Sequence, residues 1–334
     1  MIVLLWATHL GVLVLLALLL TRSGFPIGAS TLAVITLGLA WSNIETLGWA
    51  TRWSSLLCTL FLMIAWAAFS SSTRGFPWAM VLGFAAALAS ELSFSRGVLS
   101  GIVLAAFLFG FGRWRYAFAL LGSSCALLVS YWRLLSGYPN FHELDTGKLV
   151  AMAKWAITFE LLNPLYHFVS FRQKSIGAEA LIVFGGLKVA VMIAGWRFSN
   201  RDQRRVLWPL IILDLGTAVM LTSGRYTTGD IGVISYRYQY ISLLCFGAFL
   251  GLVICRIVRA AHGPRERTAV LIAFSLTWVG LLGYPWKRHA AIWSYQRGVE
   301  VRASLASTPD AERFGLPSIT AGRARELIRR YHLD

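Results

Sequence analysis

The chain has 334 residues, 57% of them hydrophobic and only 14% charged, with 31 Lys and Arg against 15 Asp and Glu for a formal net charge of +16. No single water-soluble core could hide that much apolar side chain, so a soluble globular protein is excluded. A nucleic-acid surface is disfavoured too, because the arginines stand at the ends of apolar runs and not along one continuous face.

In chain order, ten apolar runs predict membrane-spanning helices: 2–21, 28–42, 54–71, 77–93, 97–112, 117–135, 177–196, 206–223, 239–255 and 268–285. A hydrocarbon core of about 30 Å takes roughly 20 apolar residues per helix, fewer where the bilayer thins. The runs are continuous and lack period-two alternation, which selects helices over barrel strands. The expected fold class is therefore all-α. It is a polytopic transmembrane helix bundle of about ten spans over residues 1–285, with one re-entrant or interfacial helix and an extramembrane helical tail over 286–334.

Arginines gather in three short hinges: Arg113 and Arg115; Arg197, Arg201, Arg204 and Arg205; Arg256, Arg259, Arg265 and Arg267. Such hinges stay on the cytoplasmic side. They put the first residue outside, with Arg22 as the inner flank of the first span. A helix starting at residue 1 without a cationic leader region or a cleavage site departs from a signal peptide and points to a missing upstream segment. The alternative is that residues 149–169 form an eleventh span and reverse everything before them. That stretch carries Lys154 and Glu160 and ends in Asn163-Pro164. A charge at the bilayer centre costs about 2.5–3.5 kcal/mol, so a half-embedded helix on the outer face is expected.

Cys58, Cys125, Cys245 and Cys255 all lie in apolar runs without paired spacing, and read as core residues rather than metal ligands or disulfides. His142 and His167 read as ordinary polar packing. No phosphate-binding loop, dinucleotide fingerprint or zinc helix occurs, so no cofactor is assigned.

Chemistry concentrates in the loop 223–240, SGRYTTGDIGVISYRYQY, which holds Arg225, Arg237, Asp230, Tyr226, Tyr236, Tyr238 and Tyr240. Guanidinium forks grip phosphate oxygens, and tyrosines flank a lipid chain or stack on a sugar. The plainer alternative is an aromatic belt with two snorkelling arginines. A second outer turn, SNIETLGWATRW at 42–53, presents Glu45 with Trp41, Trp49, Trp53 and Arg52. Glu45 either pairs with Arg52 or orients and deprotonates a hydroxyl. Glu91, at the outer end of the fourth span, is a third acid expected to share that pocket.

The segments ETLGWATRW and ELSFSRG, and SGRY followed by SYRYQY, resemble bacterial polytopic envelope proteins similar to C-type glycosyltransferases, which use polyprenyl-phosphate sugars. The resemblance runs from about residue 41 to 255. It implies catalytic carboxylates among Glu45, Glu91 and Asp230, and substrate contacts from Arg225, Tyr226, Arg237, Tyr238, Trp49 and Arg52. Arg52 stands where the family places a glutamine. Some relatives use a divalent cation, for which Asp230 is the candidate ligand. The family's first anchor helix and acidic outer loop have no counterpart here. The implied function is transfer of a sugar from a lipid-linked donor at the outer face of the bacterial inner membrane, with membrane lipid and polyprenyl-phosphate-linked sugar as partners. A non-catalytic transporter or assembly factor for lipid-linked glycans is the alternative. Transport predicts inverted repeats, and none is evident. A purely structural subunit is the third reading.

Two further expectations come from spacing. Lys188 and Asp214 fall about 12 Å inside the same face on consecutive antiparallel helices, so each should neutralise the other. In the tail, Thr320 caps a helix over 323–333 that turns Leu327, Ile328 and Tyr331 toward a surface. Parity places that tail outside.

Overall fold

The structure is a computed structural model that describes residues 2–40, 43, 47, 53–72, 77–135, 145–166, 177–225, 233, 238–261, 263–276, 278–280, 303–311 and 320–331. No β-strand occurs among them. The chain divides into two compact units, Met1–Leu282 and Gly283–Asp334.

The first unit is a helix bundle: α1 (Ile2–Arg22), α2 (Ile27–Leu39), α3 (Trp53–Ser72), α4 (Pro77–Ser93), α5 (Val98–Gly110), α6 (Trp114–Leu135), α7 (Thr146–Leu162), α8 (Ala178–Phe198), α9 (Arg201–Arg225) and α10 (Tyr240–Ala260). A further helix, α11, covers 264–276. Local chemistry sets the ends. Gly24, at φ 76°, lets the chain leave α1, with the Phe25 amide reaching back to the Leu20 carbonyl. Asp145 caps α7 by accepting from the Lys148 amide at 2.7 Å. Asn200 and Gln203 cap α9 reciprocally, each side chain accepting from the other's amide at 2.9 Å. A π-turn at Leu181–Gly185 interrupts α8.

Among the described residues, five helices, α1, α3, α8, α9 and α10, are long and apolar enough to cross a membrane; α2, α4 and α5 are apolar but shorter. A 13-residue helix such as α2 or α5 rises about 20 Å, less than the hydrocarbon thickness. Each of the ten runs contains helix among the described residues, and five of those helices have the length and composition of a full span.

The hydrophobic core centres on α10, 72% of whose apolar stretch is buried, whereas α8 is only 17% buried. α2 lies along α10, and their backbones touch: a Cβ on Gly251 would come 2.4 Å from the Ala29 carbonyl oxygen. Outward faces are as apolar as the interior, with Val3, Val14, Trp78, Ile182 and Val219 all exposed. Water would penalise that surface, and lipid would not.

The arginine-rich hinges converge at one end of the bundle, here termed the basic end. Arg22 reaches Ser71 at 3.4 Å, Gln203 donates to the Gly24 carbonyl at 2.8 Å, and Arg205 lies over the Phe111 ring at 4.4 Å. At the far end His9 and Tyr240 meet at 2.7 Å, Trp53 donates to Thr8 at 3.1 Å, and Arg96 reaches Ser55 and Thr59.

In the second unit, α12 (Ala321–Tyr331) runs two residues ahead of the expected 323–333, and Thr320 caps it as expected, the Arg323 amide donating to Thr320 Oγ1 at 3.4 Å. Arg325 fastens the unit together, donating to the Leu305 and Thr308 carbonyls and to Asp310. The side chains of Leu327, Ile328 and Tyr331 lie outside the described residues.

Candidate functional site

Of the residues singled out in the sequence, Glu91, Arg225 and Tyr238 are described, while Glu45, Trp49, Arg52, Tyr226, Asp230 and Arg237 lie outside the described residues, as do His142 and His167. Arg225 is the last residue of α9 and is half-buried. Two other points of its loop, Val233 and Tyr238, are buried in a satellite cluster with Trp155, Phe159, Leu162, Tyr166 and Ala218. Val233 is also held by a hydrogen bond from Asn163 Nδ2 to its carbonyl at 3.2 Å. Thus Val233 and Tyr238 both pack against α7, Tyr238 at 8% exposure.

Next to this cluster lies a buried ionic network. Lys188 Nζ stands 2.5 Å from Glu160 Oε1 and 3.1 Å from Asp214 Oδ2, and donates to the Glu160 carbonyl at 2.8 Å. Those three contacts use all three ammonium protons. Asp214 Oδ1 accepts from Ser242 at 2.6 Å, so the network joins α7, α8, α9 and α10. Glu160 Oε2 is buried without a partner among the described residues. Two glycines bring the helices close enough. A Cβ on Gly185 would meet Leu161 at 3.0 Å, and one on Gly195 would meet the Phe249 carbonyl at 3.0 Å. The expected Lys188–Asp214 pair is present. Its third member was missed, although Glu160 was visible as a charge in an apolar stretch and an ammonium has more donors than one carboxylate fills. With two carboxylates and one ammonium, the network has an extra acidic group that can take a proton while the Lys188–Asp214 pair stays intact.

Glu91 occupies a separate pocket. It is 1% exposed and lies in the last turn of α4, at the end of the fourth run as expected. Its Oε1 accepts from Ser124 at 2.7 Å and Ser123 at 3.2 Å, and Oε2 is buried with no partner among the described residues. Gly101 on α5 leaves the space: a Cβ there would fall 2.1 Å from Ser124 Oγ and 2.3 Å from Glu91 Oε1. Beside it Ser90 bonds Ser100 and the Cys58 carbonyl, each at 2.7 Å. The paired serines of α6 were the overlooked signal for this site.

At the far end Gln239 is fully buried with neither side-chain amide atom paired among the described residues. Among the described residues no three His, Cys, Asp or Glu side chains are grouped to hold a metal ion. Comparison of the chain with protein-family models, curated proteins and solved structures gave no match.

Proposed function

We propose that the protein is a multi-pass protein of the bacterial inner membrane that binds a polyprenyl-phosphate-linked sugar at its outer face and acts on it as C-type glycosyltransferases do. In this reading the ten apolar runs cross the membrane with the basic end in the cytoplasm, and the tail lies outside. The observation that carries it is the pinning of the loop 223–240 at Val233 and Tyr238 into the α7 cluster, at the end of α9 that bears Arg225. Arg225 and Arg237 grip the lipid phosphate through guanidinium forks. Tyr226, Trp49 and Arg52 flank the sugar and lipid, Tyr238 anchors the loop from within the α7 cluster, and Glu45 and Asp230 supply the carboxylates, while Glu91 stays enclosed by Ser123 and Ser124. The test is transfer of radiolabelled sugar from a polyprenyl-phosphate donor by the purified protein in lipid nanodiscs. Loss of transfer in Arg225→Ala with unchanged folding supports the reading; no transfer or donor binding by the wild type sinks it.

A second reading, a transporter for lipid-linked glycans, is favoured by one observation: the spare carboxylate in the Lys188–Glu160–Asp214 network, since charged groups at membrane depth mark proton and ion paths. Proton-gradient-dependent uptake that is lost in Glu160→Gln would select it.

A further inference from the structure

The basic end holds a cleft of about 310 Å³ whose lining includes Arg197, Arg256, Arg259, Phe198, Leu252 and Gln203. The fold assembles it from two sequence-distant hinges. α8 and α10 pack closely at Gly195 and Phe249, so the last turn of α8, with Arg197, arrives beside the last turns of α10, with Arg256 and Arg259. Gln203 is already committed, accepting from the Asn200 amide and donating to the Gly24 carbonyl, so it buttresses the floor. The ion pairs among the described residues join none of these three arginines to an acid. Arg256 instead stands 5.9 Å over the Phe198 ring.

Three guanidinium groups around one concavity, with no carboxylate paired to them among the described residues, recognise a phosphate group. The lining is apolar as well: Phe198 is 47% exposed, and Pro26 and Leu252 stand in the same cleft. Inorganic phosphate would gain nothing from that surface, whereas an acyl chain lies along it while its headgroup enters the cleft. We propose that this cleft binds the phosphate of an anionic phospholipid in the leaflet at the basic end. The site is separate from the sugar-lipid site proposed above and does not depend on it.

Native mass spectrometry of the detergent-purified protein, titrated with phosphatidylglycerol or phosphatidylcholine, tests the proposal. The first phosphatidylglycerol should bind about tenfold tighter than phosphatidylcholine, a preference lost in the double variant Arg256→Ala and Arg259→Ala and kept in Arg265→Ala, a hinge arginine outside the cleft lining. Equal weakening by Arg265→Ala would mean a diffuse basic field and overturn the site, as would equal binding of the two lipids. A readout that needs no variant is arginine modification by phenylglyoxal, mapped by peptide mass spectrometry. Phosphatidylglycerol should protect Arg197, Arg256 and Arg259 at concentrations where inorganic phosphate does not; equal protection by inorganic phosphate overturns the assignment to lipid.

Discussion

Lys188 and Asp214 lie 3.1 Å apart at 2% and 1% exposure, on two helices that spacing alone places antiparallel. The contact fixes the register of α8 against α9, because a one-residue rotation of either helix would turn an ion toward lipid. Glu160 then brings α7 to the same ammonium at 2.5 Å, so a helix that hydropathy leaves ambiguous is tied to the bundle through its charge.

Removing the ammonium should cost more than removing the whole network. Lys188→Met leaves two buried carboxylates without a cation, with an expected loss of roughly 3–5 kcal/mol. Adding Glu160→Gln and Asp214→Asn should recover most of it. Thermal unfolding in detergent measures both, and an unchanged melting temperature for Lys188→Met would show that the network does not hold the helices.

Gly101 and Gly122 form a matched steric pair. A Cβ at Gly101 collides with Glu91 and Ser124, while one at Gly122 meets nothing within 4 Å. Gly101→Ala should therefore destabilise by about 1–3 kcal/mol, and Gly122→Ala should be neutral or stabilising by up to about 1 kcal/mol through reduced backbone entropy. Equal melting temperatures for the two variants would contradict the packing of α5 on α4 and α6.

Topology can be read by labelling. In a background with Cys58, Cys125, Cys245 and Cys255 replaced, Asp230→Cys should react with a membrane-impermeant maleimide from outside intact cells, and Arg201→Cys only after permeabilisation. A reporter fused after Asp334 should be active outside. Labelling of position 230 from the cytoplasmic side alone would remove the proposed orientation and the loop site together.

The two loop arginines separate phosphate binding from snorkelling. Arg225→Ala and Arg237→Ala should each abolish function in a complementation assay, and the lysine variants should restore only part, because an ammonium lacks the bidentate fork. Full activity in both alanine variants would make the loop an aromatic belt.

Helix class and the positions of the helices follow from the sequence alone, because continuous apolar runs in lipid can satisfy their backbone only within each segment. α4 begins and ends where its run does, α1 ends one residue beyond its run, and α3 extends one residue beyond its run at each end. The Thr320 cap follows from local spacing, and the Lys188–Asp214 pair from equal depth on two consecutive helices. Tertiary structure decided what depends on contacts between distant segments. Glu160 is 28 residues from Lys188, Ser124 is 33 from Glu91, and Val233 is 70 from Asn163. A lone charge or serine in an apolar run shows that a partner is needed, but not which one. The partner is chosen by how closely neighbouring backbones approach, and Gly101, Gly185 and Gly195 set that approach only once their helices have been brought together.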